Sequence, residues 1–595
     1  MQKNILGVLM AAGLVARCEA DRSVVAVPTA EGKVMVNWRL LEKGETFDLY
    51  RERDGKRELV KEKFSGTSFL DEAGAEVYEV RKSGEETGKK VEVWKNNFLE
   101  IPIDPPEGYR AGDCSVGDLD GDGKFEFVVH MVGRAHDNSH SGLTTAPVLD
   151  AYKLDGTKLW RINLGKNIRE GEHYTQFMVY DLDGDGCAEV ACKTADGSKD
   201  GKGTVIGDAS ADWVERDEKS QKFGRVLSGP EFLTVFDGKT GAALTTVDYL
   251  PGRDPIGGWG GRGGNGGNDS YGNRCDRFLA CVAYLDGNRP SLVMCRGVYG
   301  RTVMVAWDWR DGKLSKRWVF DSKDGKNPYS GMGGHSLAVA DVDDDGRDEI
   351  VYQAMVVDDD GKGLFATGRR HGDTLTVGDL DPQREGKELY LVTENEERTR
   401  SWGTPGAGLH DARTGEVIWS HSPGVDLSVG LLADIDPRHP GYEVWDRFTG
   451  LRTIKGEVLS KRTPRYQDWA IWWDGDLLRE LYGGYRVVKW DWKEEREETI
   501  FQAEFPFPLE GRRRWRGVGR WPNLTADLIG DWREELLLRG PGGKSLRLYT
   551  TPIPSEHALP WLMSDRQYRL SVVLQNVVYN KAPQVSFFLG KPANR

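Results

Sequence analysis

Asp118-Leu119-Asp120-Gly121-Asp122-Gly123-Lys124-Phe125-Glu126 decides the reading of the fold, because it returns twice in the same register. The other copies are Asp181-Leu182-Asp183-Gly184-Asp185-Gly186-Cys187-Ala188-Glu189 and Asp341-Val342-Asp343-Asp344-Asp345-Gly346-Arg347-Asp348-Glu349. Each offers carboxylates at its first, third, fifth and ninth positions, and a backbone carbonyl at its seventh, from Lys124, Cys187 or Arg347. Glycine at the sixth position permits a sharp turn. Calcium takes about six to eight hard oxygens, and a loop of alternating Asp wraps them round one centre. Asp-Gly is also ordinary turn chemistry, but three copies in register point to calcium ligands. An EF-hand loop is spaced similarly, but its last acid comes later and helices flank it. Here apolar strand-like runs follow: Phe127-Val128-Val129, Val190-Ala191-Cys192 and Ile350-Val351-Tyr352.

Weaker copies extend the series. Asp379 goes with Asp381 and Glu388, Asp434 with Asp436 and Glu443, and Asp527 with Asp531, Arg533 (at the carbonyl position) and Glu535. Degenerate copies lie at Tyr284-Leu285-Asp286-Gly287 and Trp473-Asp474-Gly475-Asp476, which makes eight in all. Hairpin-like stretches often follow, such as Asp150 to Trp160 and His410 to Trp419. Strand, metal loop, strand, hairpin and strand are the content of one propeller blade. The expected fold is therefore all-β: an eight-bladed β-propeller over residues 106–595. The copies are unevenly spaced, so some blades carry insertions. The largest is expected from Thr194 to Asn273 and includes the glycine-rich run Gly257 to Gly267. Loops of that length are usually functional or disordered.

Residues 22–105 read differently. Val24 to Val27, Val34 to Trp38, Thr46 to Tyr50 and Val91 to Trp94 are short strand-like runs between polar turns, and Arg81 to Lys90 reads as an exposed hairpin loop. That suits a small N-terminal β-sandwich of fibronectin type III kind. Residues 1–20 read as a signal peptide: Lys3, an apolar stretch from Ile5 to Ala16, and Ala20 as the cleavage residue. A secreted or periplasmic protein is expected, with no membrane span, since no later run approaches the ~20 apolar residues a span needs. The formal charge of −13 argues against nucleic acid as partner, although bound calcium would cancel much of it. Six cysteines follow the signal peptide, spaced neither as a zinc site nor as a redox pair, so one or two disulfides are allowed but no disulfide scaffold is indicated.

Several separated motifs carry a resemblance. Ala526 to Glu535, Tyr549 to His557, Asp565 to Leu570, Gln575 to Asn580, Gly171 to Gln176, Cys192 to Gly197, Gly333 to Ser336 and His371 to Asp373 occur in order. Together they resemble polysaccharide lyase family 11, the bacterial rhamnogalacturonan lyases, over roughly residues 25 to 590. The resemblance implies several calcium ions, mainly structural, held also by His335, His371, Asn576 and Asn580. It implies β-elimination at the bond between rhamnose and C4 of galacturonate in pectin, hence an acidic plant cell-wall polysaccharide as partner, acted on by a monomer. It marks Tyr579 as a catalytic residue, and Asp150 and Asn138 as substrate-binding.

The family pattern also places an Arg where this chain has Val429, in Ser428-Val429-Gly430, and a Lys near Gly519. The Lys-bearing stretch is instead rich in arginine and tryptophan: Arg512-Arg513-Arg514-Trp515-Arg516, then Arg520-Trp521. Removing the C5 proton α to a carboxylate needs a cation or donors on that carboxylate and proton-transfer groups nearby. Arg516 and Arg520 are read with Tyr579 as catalytic, and Arg514 and Trp521 as substrate-binding. The alternatives are a catalytically impaired propeller that binds acidic polysaccharide, a lyase acting on another uronate polymer, and an adhesion-type propeller.

Overall fold

The computed structural model describes residues 22–590 apart from 30–31, 172–173, 262–266, 268, 324–326, 395–405, 423, 507–520 and 580–581. Among them the chain is nearly all β. Two small sheets come first. Val25–Pro28, Val34–Asn37 and Ser68–Asp71 make one. Lys56–Phe64, Phe47–Arg53, Val77–Lys82 and Lys89–Glu92 make the other. Trp38, Phe47, Leu49 and Tyr78 are buried in a shared core. The exposed hairpin of the sequence reading is present but shorter, because Val77–Lys82 and Lys89–Glu92 pair across it.

Eight further antiparallel sheets follow. Their first strands are Arg110–Gly117, Phe177–Tyr180, Ala280–Ala283, Leu337–Ala340, Thr374–Gly378, Gly430–Ala433, Ala470–Ile471 and Leu524–Ala526, numbered here as sheets one to eight. The first strands of sheets one to seven touch in succession, and that of sheet eight lies against that of sheet one. Sheets seven and eight are joined by Trp469 Nε1, which donates to Thr525 Oγ1 at 3.2 Å. Inner strands are covered on both faces, so they read as unbroken apolar runs; Phe127, Val128 and Val129 are all fully buried. Outer strands alternate, as Ala243–Asp248 does, because only one face is covered.

Two connections were not legible beforehand. Sheet eight takes its fourth strand from the N-terminal side: Leu99–Pro102 pairs with Ser545–Tyr549, with Ile101 opposite Leu546. The expected single insertion from Thr194 to Asn273 is not one loop. Glu231–Phe236 and Ala243–Asp248 are strands of sheet two, and Ser198–Lys199 and Val205–Ile206 extend sheet one. The described cysteines, Cys114, Cys187, Cys192, Cys275, Cys281 and Cys295, are all free.

The helix Arg566–Val573 packs on the first strands of sheets one, two, three, four and eight. Asp565 caps it, accepting the Tyr568 N–H at 2.8 Å. Amide side chains in the helix and just after it satisfy inner-strand backbone: Gln567 donates to Val377 O, and Gln575, in the turn Leu574–Asn576, both donates to Thr525 O and accepts from Thr525 N. No described helix is long and apolar enough to cross a membrane.

Ile101 is fully buried in the strand that completes sheet eight. Ile101→Ala is expected to lower the unfolding free energy by about 2–5 kcal/mol, the usual cost of a large-to-small core change. Chemical denaturation of the two proteins checks this.

Candidate functional site

Antiparallel order gives the sheets two rims. The start of each first strand and the end of each second strand share one rim, and the acidic loop between those strands lies on the other. In the first loop, Asp118 accepts the N–H groups of Gly121, Asp122 and Gly123 at 2.7, 3.1 and 2.8 Å. Asp181 does the same for Gly184, Asp185 and Gly186, and Asp341 for Asp345 and Gly346. The sixth-position glycines Gly123, Gly186 and Gly346 have φ of 82°, 95° and 89°, where a side chain would be strained. Asp344 takes such a backbone without being glycine, at φ 63°.

The last acid of each repeat is built in. Glu126, Glu189, Glu349, Glu388, Glu443, Glu480 and Glu535 each accept a backbone N–H from the start of their own loop, at 2.6–3.0 Å. Burial, compounded by neighbouring carboxylates, pushes Glu126 up to about 7, Glu189 to about 8, and Glu349 and Glu443 to about 9. Asp434 rises to about 8, and Asp527 and Glu535 rise well above the carboxylate range, for the same reasons. Asp120 Oδ1, Glu349 Oε1 and Glu443 Oε1 are buried with no hydrogen-bond donor. Converging hard oxygens that lack donors fit a hard divalent cation. The groups Asp118–Asp120–Asp122, Asp181–Asp183–Glu189 and Asp341–Asp343–Glu349 each bring their ligand atoms within 4.8 Å of one another.

The chain's own cations enter the first full loop and several of the weaker ones. Lys153 Nζ lies 2.6 Å from Asp120, and Arg384 lies 2.9 Å from Glu388. Arg438 grips Asp436, and Arg533 pairs with Asp531 at 2.6 Å. At the degenerate copy Lys489 Nζ bonds Asp474, Asp476 (2.6 Å) and Glu480 (3.1 Å), so an ammonium stands at the focus of the acids.

On the opposite rim a compact group gathers. Tyr299 OH lies 2.9 Å from His335 Nε2, and His371 Nε2 lies 2.8 Å from Glu394. His335, Asp373 and Glu394 bring ligand atoms within 4.8 Å of one another, a second kind of metal-competent set. Tyr579, delivered by the chain leaving the central helix, stacks on His335 with centroids 4.6 Å apart and planes 5° from parallel. Its backbone N–H donates to His335 O at 3.2 Å. Arg274 and Arg277 stand 4.7 and 4.9 Å from the Tyr299 ring. Half-buried phenols beside buried imidazoles, carboxylates and guanidiniums here can bind an acidic sugar and move protons.

His335, His371 and Tyr579 are thus brought together, whereas other sequence expectations need correction. Asn576 spends its amide on strand backbone: Oδ1 accepts from Phe177 N at 3.1 Å and Nδ2 donates to Phe177 O at 2.9 Å. It acts as a clamp on sheet two, with both amide atoms spent on strand backbone. Asp150 is wholly buried and held by Arg161 at 2.6 Å and Lys158 at 3.3 Å, so a polymer does not reach it. Asn138 is wholly buried too, donating to Asp276 O at 2.5 Å. Trp521 is half-buried against the cluster around Trp469 and Tyr482. Arg514, Arg516, Arg520 and Asn580 lie outside the described residues. Asp373, Glu394, Tyr299 and the pair Asp358 and Asp359, which adjoin Glu349, were not singled out as ligands or site groups. His371-Gly372-Asp373 was a visible motif; Glu394 and Tyr299 follow second strands with no local signal.

Residues 102–595 match the model of the rhamnogalacturonan lyase family 11 C-terminal domain, and residues 18–94 that of the rhamnogalacturonan I lyase β-sheet domain. The chain is 49% identical to rhamnogalacturonan exolyase YesX of Bacillus subtilis, over 96% of this chain and 94% of that one. It is 47% identical to the endolyase YesW of the same organism, over 96% and 90%. It is also similar to the crystal structure of rhamnogalacturonan lyase YesW, with a TM-score of 0.88 and 46% identity over 96% of this chain and 97% of that one.

The raised carboxyls give the metal-free protein a distinctive pH dependence. A folded-state value above the unfolded one means that the folded chain holds extra protons. The stabilisation is complete below about 4.5, the ordinary value of a glutamate, and is lost as pH rises through about 7 to 9. Metal-stripped protein is therefore expected to show a melting temperature that falls from pH 5 to pH 9, measured by calorimetry in chelator.

Proposed function

The chain belongs to rhamnogalacturonan lyase family 11 and is a rhamnogalacturonan lyase, and on that premise we propose how its parts divide the work. The eight sheets are the blades of a β-propeller, the two N-terminal sheets are a separate fibronectin-like sandwich, and the acidic loops hold structural calcium. Support for the ring comes from the succession of touching first strands and from the strand Leu99–Pro102 that completes the last sheet. Export of the chain as a monomer fits a polymeric cell-wall substrate.

The reaction is β-elimination. The C5–H bond of galacturonate breaks, its electron pair becomes the C4=C5 double bond, the C4–O4 bond breaks, and O4 leaves with a proton. The observation that carries this reading is the stacking of Tyr579 on His335 beside the His371–Glu394 pair. A calcium ion held by His335, His371, Asp373 and Glu394 would supply positive charge for the uronate carboxylate. Tyr579 transfers a proton at the reacting sugar, its ring held by the imidazole beneath it. Tyr299 fixes His335 through its hydroxyl. Arg274 and Arg277 add donors for the carboxylate, as guanidiniums do well.

The test is ultraviolet absorbance of the unsaturated product from rhamnogalacturonan, alongside other uronate polymers. Rhamnogalacturonan is expected to be cleaved fastest; no unsaturated product from any of them would leave a binding protein. Tyr579→Phe keeps the ring and removes the hydroxyl. It is expected to reduce turnover by roughly 10²–10⁴-fold, the usual worth of a positioned acid or base, with the melting temperature unchanged. Normal turnover in that variant would move proton transfer elsewhere.

A further inference from the structure

The rim that carries the histidines continues past Glu394 into a pocket of about 360 Å³, lined by Asp426, Val429, Arg447, Phe448, Arg465 and Asp468. Asp426 precedes the first strand of sheet six, Arg447 follows its second strand, and Arg465 precedes sheet seven. The pocket adjoins the site already described, because Glu394 and His371 both act on the Asp426 carboxyl. Arg447 and Arg465 are exposed, and neither guanidinium has a carboxylate partner among the described residues. On the same rim Arg301, by contrast, is paired with Asp321 at 2.7 Å.

The backbones behind these two are fixed. Asp446 accepts the N–H groups of Phe448 and Thr449 at 2.7 and 2.9 Å and is itself held by His421 at 3.2 Å, which locks the turn bearing Arg447. Arg465 anchors its backbone N–H on Glu497. The Phe448 ring is 51% exposed, with the Arg447 guanidinium 5.6 Å from its centroid. Among the described residues that line this pocket, the basic ones are Arg447 and Arg465.

We propose that Arg447 and Arg465 form a subsite for a second carboxylate of the uronate polymer, with Phe448 as the platform for its sugar ring. The proposal deepens the lyase reading and rests on it. A polymer carrying carboxylates at intervals presents another one beyond the reacting unit. Two open guanidiniums match a carboxylate's planar oxygens, and Asp426 and Asp468 accept from sugar hydroxyls. The subsite acts on binding and register along the chain, not on proton transfer.

The experiment pairs Arg447→Gln with Arg465→Gln in one protein. On rhamnogalacturonan, KM is expected to rise about tenfold, with kcat changing less than about threefold and the salt dependence of KM weakening. The corresponding double lysine variant is expected to recover part of the loss. Calorimetric binding of the same polymer, and of its carboxyl-reduced form, to the wild-type and double-Gln proteins gives an arm that needs no turnover. The double-Gln change is expected to weaken binding of the native polymer and to leave the carboxyl-reduced form unaffected. Unchanged KM and salt dependence, or equal binding of the native polymer, would overturn the subsite. A wild-type protein that makes no unsaturated product would instead overturn the lyase reading, and the binding arm would still decide the subsite.

Discussion

Glu349 accepts the Val342 N–H at 2.6 Å, and the acid in the same place of six other repeats accepts the matching N–H of its own loop. This bond fixes the geometry by which a first strand turns into a second. It also commits the chain to burying a carboxylate beside two or three others, which carries a heavy electrostatic cost. The chain answers that cost in two ways. In the full loops at Asp181 and Asp341 the ligand-type oxygens converge within 4.8 Å of one another, an arrangement that fits a divalent cation, whereas in the first full loop Lys153 already reaches Asp120. In the copy at Asp474 to Glu480 the ammonium of Lys489 stands at the focus, so the neutralising charge is covalently part of the fold.

The acidic loops occupy one rim, and the proposed substrate site lies on the other. Because strands alternate in direction, everything that precedes a first strand or follows a second one reaches the same side. Tyr299, His335, His371, Glu394, Asp426, Arg447 and Arg465 all arrive there from successive sheets. The central helix serves both ends. Gln567 within it and Gln575 just beyond it secure inner strands, and the chain leaving it places Tyr579 flat on His335.

The repeats were legible because aspartates at alternate positions have few other meanings, and they led directly to eight sheets. His335, His371 and Tyr579 were legible through the motifs around them. What sequence hid was whatever depends on pairing across long separations. Leu99–Pro102 completes a sheet formed more than four hundred residues later. Asn576 looked like a ligand beside Tyr579, yet its amide matches the backbone of Phe177. Asp150 carries the right charge for sugar contact but sits on an inner strand against Arg161. Glu394 and Arg447 follow second strands at positions with no local motif, and only the succession of neighbouring sheets brings them to the rim of the histidines.

The central claim is that the acidic loops bind a cation which relieves buried like charge and holds the sheets together. The most direct measurement is thermal unfolding of the metal-stripped protein across a calcium titration at fixed pH. Calcium bound to the folded chain raises the melting temperature progressively once its concentration exceeds the dissociation constant. The account predicts such a rise, larger for calcium than for magnesium, whose stricter octahedral demand suits these loops less well. A melting temperature that stays flat across the titration would contradict it.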